Sequence, residues 1–195
     1  MGLRSLIEMR YWLQDFADRR RVAESSRAEL DADHARRFRE LVLFAAKHSP
    51  YFAEVIDSQR LDPQTCELAD FPELTKATLN QEFDRIVTTP ALSRQNIGDF
   101  LENSGDPTEL MDDRFFVLRT SGTTGDPTYM AYSTREWIRG CSHRNRVVPG
   151  IQWRQRVAFY GVVHQHLAGV SLALTGRRGL NQLFFNCRTY DVNRP

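Results

Sequence analysis

Residues 114–133 read RFFVLRTSGTTGDPTYMAYS, and the middle of this stretch decides the fold. An apolar run, Arg114-Phe-Phe-Val-Leu118, leads in, and a strand-like run, Tyr129-Met-Ala-Tyr132, leads out. Between Thr120 and Thr128 lie two Gly, five hydroxyl residues and one Pro. Glycine tolerates positive φ and lets a backbone approach a ligand closely. Successive N–H groups in such a turn can form an anion-binding nest. Ser and Thr hydroxyls add neutral donors. A plain hairpin connector uses the same residue types, so composition alone leaves both readings open. A Walker loop needs Lys after its second Gly. The only lysines here are Lys47 and Lys76, far from the loop.

Working outward, the C-terminal part alternates strand-like and helix-like stretches. Strands are predicted at 114–119, 129–132, 156–163 and 182–186, and helices at about 134–147 and 167–176. Ser133-Thr-Arg-Glu136 gives the first of these helices a capping box. Strands alternating with helices predict an α/β sheet. The N-terminal part is helical. Leu3, Leu6, Ile7, Arg10, Leu13 and Phe16 fall at helical spacing over 3–23. Ser26-Arg-Ala-Glu29 opens a second helix running to about Lys47, with Leu30, Phe38, Leu41, Val42, Phe44 and Ala45 as its apolar stripe. His48-Ser-Pro50 stops it. Tyr51–Asp57 predicts a short helix, and Thr75 caps another over Lys76–Phe83. Residues 88–113 read as loop-rich. The division expected is a helical, loop-rich region over 1–113 and an α/β segment over 114–195, together one incomplete domain. Ser104-Gly-Asp-Pro-Thr108 echoes Thr124-Gly-Asp-Pro-Thr128, which reads as one turn solution used twice.

The net charge of +1 hides a segregation. Residues 50–113 carry fourteen acidic and four basic side chains, whereas 129–195 carry ten Arg against Glu136 and Asp191. The basic part could favour an anionic ligand. No aromatic-basic repeat accompanies these arginines, so nucleic acid is not an expected partner. The longest apolar run, Leu41–Ala46, is too short to cross a bilayer. MGLRSLIEMR matches neither a secretory signal nor a myristoylation pattern. Three widely spaced cysteines, Cys66, Cys141 and Cys187, oppose a disulfide framework and a metal site. The expected setting is the cytoplasm, with no membrane association.

The order of residues in the loop says more than its composition. Thr120-Ser-Gly-Thr-Thr-Gly-Asp-Pro-Thr128 closely resembles the phosphate-binding signature of the adenylate-forming superfamily, Ser/Thr-Ser-Gly-Thr-Thr-Gly-x-Pro-Lys. That group includes acyl-CoA synthetases, luciferases and nonribosomal peptide adenylation domains. Thr128 stands where Lys is usual, which resembles the phenylacetate–CoA ligase branch and its relatives linked to capsular polysaccharide biosynthesis. Lys47-His-Ser-Pro-Tyr-Phe52 and Phe71-Pro-Glu-Leu-Thr-Lys76 look like that branch's N-terminal region. Phe159-Tyr-Gly-Val-Val-His-Gln-His-Leu-Ala-Gly169 resembles the superfamily's next motif, His-x-x-Gly after a strand, here His166-Leu-Ala-Gly169. Without the resemblance, His164 and His166 would read as packing or surface histidines at a strand end.

The resemblance implies a helical N-terminal segment followed by part of the mixed-sheet large domain of adenylate-forming enzymes. It implies ATP-dependent activation of a small-molecule carboxylate as an acyl-adenylate, with Mg²⁺ and with coenzyme A, a carrier protein or an amine as acceptor. Thr120, Ser121, Gly122, Thr123, Thr124, Gly125 and Thr128 would hold the phosphates, and His166 would orient or flank the acyl carboxylate. No metal ligand is assigned. The resemblance ends at Pro195, before the superfamily's adenine, ribose and C-terminal Lys elements, so the chain is expected to be the N-terminal part of such a ligase and not competent alone. The other expectation is a truncated, non-catalytic homologue that binds a nucleotide or a partner. Exposed sheet edges would then favour self-association.

Overall fold

The computed structural model describes residues 3–120, 126–143, 155–163, 165–175 and 185–193. The described elements make a mixed α/β structure dominated by helix. The chain forms two compact units, one of residues 1–19 with 97–195, the other of residues 20–96.

The helical unit is held by caps and aromatic contacts. Helix α1 (Leu3–Glu24) supplies its last turn, and α2 spans Arg27–His48. Ser26 caps α2: its hydroxyl accepts from the Glu29 N–H, and the Glu29 carboxylate accepts from the Ser26 N–H at 2.7 Å. These Ser26 donors hold the Glu29 carboxyl below its usual range. Ser49 ends α2 and starts α3 (Pro50–Ser58). Its N–H donates to the Ala45 carbonyl, and its hydroxyl accepts from the Phe52 N–H and donates to the Arg85 carbonyl at 2.9 Å. Pro50 takes the first helical position, where no N–H is needed. Thr75 caps α4 (Lys76–Gln81) as predicted, and α5 (Phe83–Ile86) follows. Phe71 meets both Phe38 and Phe52 edge to face, at 6.1 and 6.5 Å. The His-Ser-Pro-Tyr-Phe and Phe-Pro-Glu-Leu-Thr segments therefore touch through Phe52 and Phe71.

The predicted apolar stripe of α2 is mostly not core. Only Val42 is buried, while Leu41 and Phe44 are 62% and 49% exposed. The outward faces of α2 carry ion pairs instead, Arg27 with Asp31 and Arg36 with both Asp33 and Glu40. Such exposed pairs are screened by solvent and add little to stability.

The second unit contains the strands. Helix α6 (Arg94–Asn103) runs into it from a region expected to be loop. Gly98 and the polar flanks obscured the helix, yet Ile97 and Leu101, four residues apart, are both buried. A tight turn at Asp112 and Asp113, both in the left-handed region with φ of 53° and 55°, reverses the chain. Strand β1 (Phe115–Arg119) then pairs antiparallel with β2 (Tyr129–Ser133), Arg119 opposite Tyr129. Phe115 to Leu118 are all buried, so both faces of β1 are covered. Helix α7 (Thr134–His143) packs on both strands, and Ser133 and Glu136 form the predicted capping box. The core there joins Leu110, Phe116, Leu118, Trp137 and Cys141, with Phe116 and Trp137 stacked at 4.9 Å.

Helix α1 meets this core through Trp12. The periodicity places Leu13 inside; Leu13 is 64% exposed, and Asp15 is buried. Asp15 pairs with Arg19, and with Asp18 it lines a small cleft shared with Arg135 and Arg139 of α7. The Arg19 guanidinium, 3.2 Å away, pairs this buried carboxylate, which hydropathy alone reads as a surface residue.

Strands β3 (Gln155–Gly161) and β4 (Phe185–Asp191) pair in parallel through the crossover helix α8 (Ala168–Thr175), which also packs on β1. Strand β4 lies further along the chain than the run predicted at 182–186, because the polar residues from Asn186 to Asp191 face β3 in register. Residues 181–184 lie outside the described region. Among the described residues, which include all three cysteines, there is no disulfide, and no helix is long and apolar enough to cross a membrane.

Burial separates Leu118 from Leu41. Leu118→Ala is expected to cost about 2–5 kcal/mol through lost transfer energy and cavity. Leu41→Ala should change stability by no more than about 0.5 kcal/mol. Urea denaturation followed by far-UV circular dichroism checks both.

Candidate active site

The β1–β2 hairpin carries the signature. Beyond the Arg119–Tyr129 pair, the Thr120 N–H donates to the Thr128 carbonyl at 3.0 Å. The Thr128 N–H does not return to the Thr120 backbone; it donates to the Thr120 hydroxyl oxygen, also at 3.0 Å. This side-chain bond closes the mouth of the loop. Thr120 and Thr128 are both half-buried. The Thr128 hydroxyl is shielded from solvent and has no hydrogen-bond partner among the described residues. Ser121, Gly122, Thr123, Thr124 and Gly125 lie outside the described residues. Asp126 is exposed at the exit, before Pro127.

The other edge of β1 meets the second predicted motif. The Arg119 N–H donates to the His166 carbonyl at 2.8 Å. One end of one strand thus receives Thr120, Thr128 and His166. His164 lies outside the described residues. Gly169, in the first turn of α8, sits against the Phe159 ring: a Cβ there would come within 3.4 Å of it.

His166 is only 3% exposed. Its Nε2 lies 3.0 Å from the Ser104 hydroxyl oxygen. That hydroxyl donates to the Glu109 carboxylate at 2.6 Å. The Phe100 ring stands edge-on to the imidazole at 5.5 Å. Nδ1 has no hydrogen bond of normal geometry among the described residues. Burial pushes the His166 pKa below its ordinary value; the Val117 carbonyl, Glu109 and Asp106 oppose this, and Arg119 adds to it.

Ser104 and Glu109 were not singled out from sequence as site residues. The available signal was the Gly-Asp-Pro-Thr echo, whose first copy turns out to buttress the site. Within it, the Thr108 N–H and hydroxyl both donate to one Asp106 carboxylate oxygen, at 2.9 and 2.7 Å. The buried Ser171 hydroxyl of α8 donates to the Pro107 carbonyl at 2.8 Å. The Ser104–Thr108 turn is therefore pinned twice to the 166–171 segment, through Ser104 and through Pro107.

With this geometry in place, comparison with known proteins adds no family: no protein-family model matches the chain, and no curated protein matches it significantly.

The lowered His166 pKa sets a pH dependence. Below the ordinary His value the unfolded chain takes up a proton that the folded chain resists, so the unfolded state binds more protons and stability falls as pH falls. Stability is expected to drop between about pH 7.5 and pH 5, on either side of the usual value near 6.5. His166→Gln should flatten this part of the profile. Urea denaturation read by tryptophan fluorescence checks it, since Trp12 and Trp137 both sit in the unit that holds His166.

Proposed function

We propose that this chain is the N-terminal part of an adenylate-forming ligase of the phenylacetate–CoA ligase type, which activates a small-molecule carboxylate with ATP in the cytoplasm. One observation carries this reading: the Arg119–His166 hydrogen bond brings the signature loop and the His-x-x-Gly segment to the same strand end. Two stretches that the resemblance assigns to phosphate and acyl binding are far apart in sequence, and a shared ligand requires them to be close.

The residues divide the work by chemistry. A carboxylate oxygen attacks the α-phosphorus of ATP, and pyrophosphate leaves with the electrons of the broken P–O bond. Both reactants are anionic, so donors around the phosphates must offset their repulsion. Loop N–H groups at Gly122 and Gly125 and the hydroxyls of Ser121, Thr123 and Thr124 supply them. The Thr128 hydroxyl fits a phosphate oxygen: it is shielded, has no partner among the described residues and is able to donate, while its own N–H is held by Thr120. Thr128 replaces a cation with a neutral group, so less charge is offset at this point than in relatives with Lys. Mg²⁺ would neutralise phosphate charge. The described residues gather no group of three His, Cys, Asp or Glu that could hold a metal ion. The acyl-adenylate would then pass to a thiol, with coenzyme A as the first acceptor to try.

The Gly122→Val/Gly125→Val double variant is expected to weaken binding of Mg-ATP at least about tenfold, roughly 1.4 kcal/mol, with an unchanged circular dichroism spectrum. Isothermal titration checks this. Wild-type chain that binds no nucleotide sinks the reading. ATP–pyrophosphate exchange is not expected of this segment by itself, so nucleotide binding is the readout.

A further inference from the structure

The side-chain cluster of His166, Ser104 and Glu109 contains a constraint on which imidazole nitrogen can meet a ligand. Ser104 has one hydroxyl proton. Its 2.6 Å bond to Glu109 uses that proton, because an ionised carboxylate only accepts. The Ser104 oxygen must then accept at its other short contact, the 3.0 Å approach of His166 Nε2. Nε2 therefore carries a proton and spends it inside the fold. Nδ1 is the one remaining polar atom of the ring, buried and without a bond of normal geometry among the described residues.

We propose that Ser104, backed by Glu109, is a positioning residue that holds His166 as the Nε2–H tautomer and leaves Nδ1 to face the ligand. The ligand class rests on the reading given under Proposed function; the tautomer does not. Where the resemblance assigns a role to His166 as a whole, the structure assigns its two nitrogens separate jobs. Nε2 fixes the ring plane, and the Phe100 edge contact limits its tilt. Nδ1 of the neutral ring can only accept. A carboxylate also only accepts, so the two can bond only after the ring takes up a proton. Glu109, Asp106 and the Val117 carbonyl favour that proton, and burial and Arg119 oppose it. Carboxylate binding at this site is thus coupled to uptake of one proton, and Ser104 sets the nitrogen that receives it.

Nitrogen-15 spectra of histidine-labelled full chain at neutral pH test this directly, with the His166 signals assigned by their loss in His166→Gln. The wild type should show a protonated Nε2 and a bare Nδ1. Ser104→Thr, which keeps the hydroxyl, should keep that pattern, and Ser104→Ala should give a mixture of tautomers. The Nδ1–H form in the wild type, or a Ser104→Ala spectrum identical to wild type, overturns the proposal. Should Ser104→Ala fail to fold, Glu109→Gln serves instead. An amide N–H can donate to Ser104, freeing the hydroxyl proton for Nε2, so the Nδ1–H form should grow; an unchanged spectrum overturns the proposal. The spectra need no ligand. A chain that binds no Mg-ATP yet shows the Nε2–H form sinks the ligase reading and leaves the role of Ser104 standing.

Discussion

The hydrogen bond from the Arg119 N–H to the His166 carbonyl is the constraint on which the candidate site depends. Strand β1 has two edges. One is spent on β2, and at its C-terminal end the other is spent on the segment that leads into α8. Because β1 is buried on both faces, its end is a rigid platform, and whatever is bonded to it inherits that rigidity. The Thr120 and Thr128 bonds continue the hairpin by one step and then release the chain into the loop. A glycine-rich loop gains positional definition only when its two ends are fixed; here they are fixed to each other and to a buried strand.

Polar groups around His166 follow from the same arrangement. Burying an imidazole costs free energy unless its nitrogens are bonded. The fold satisfies Nε2 through Ser104, and among the described residues Nδ1 has no bond of normal geometry. A group left in that state at the junction of two motifs differs from an ordinary core histidine, where both nitrogens usually find partners. The Ser104–Thr108 turn adds the support: Ser171 and His166 hold it from one side, and Asp106 ties it internally.

Charge is arranged more locally than the sequence segregation implies. Within the helical unit, the acidic side chains of α2 pair with arginines one turn away, and Arg85 pairs with Glu54 and Glu82. In the other unit, the arginines of α7 share a cleft with Asp15 and Asp18 of α1. Arg156 and Arg188 remain on the exposed face of the parallel pair. Among the described residues, the four arginines of the basic segment divide into two that share a cleft with acids and two in solvent.

Features whose physics acts within about four residues were legible in the sequence. Ser26, Thr75 and Ser133 cap helices because a side-chain oxygen reaches an N–H two or three positions on. The β1–loop–β2 order was legible because an apolar run cannot continue through Gly and Pro. Features that depend on distant partners were decided by tertiary structure alone. Leu41 is exposed and Asp15 buried because of what packs nearby, which hydropathy does not encode. Helix α6 is held by burial of Ile97 and Leu101 despite Gly98. The pairing of His166 with Ser104 spans 62 positions. A hydroxyl and an imidazole that far apart have no local preference for each other; only the packing of α8 against β1 brings them within 3.0 Å.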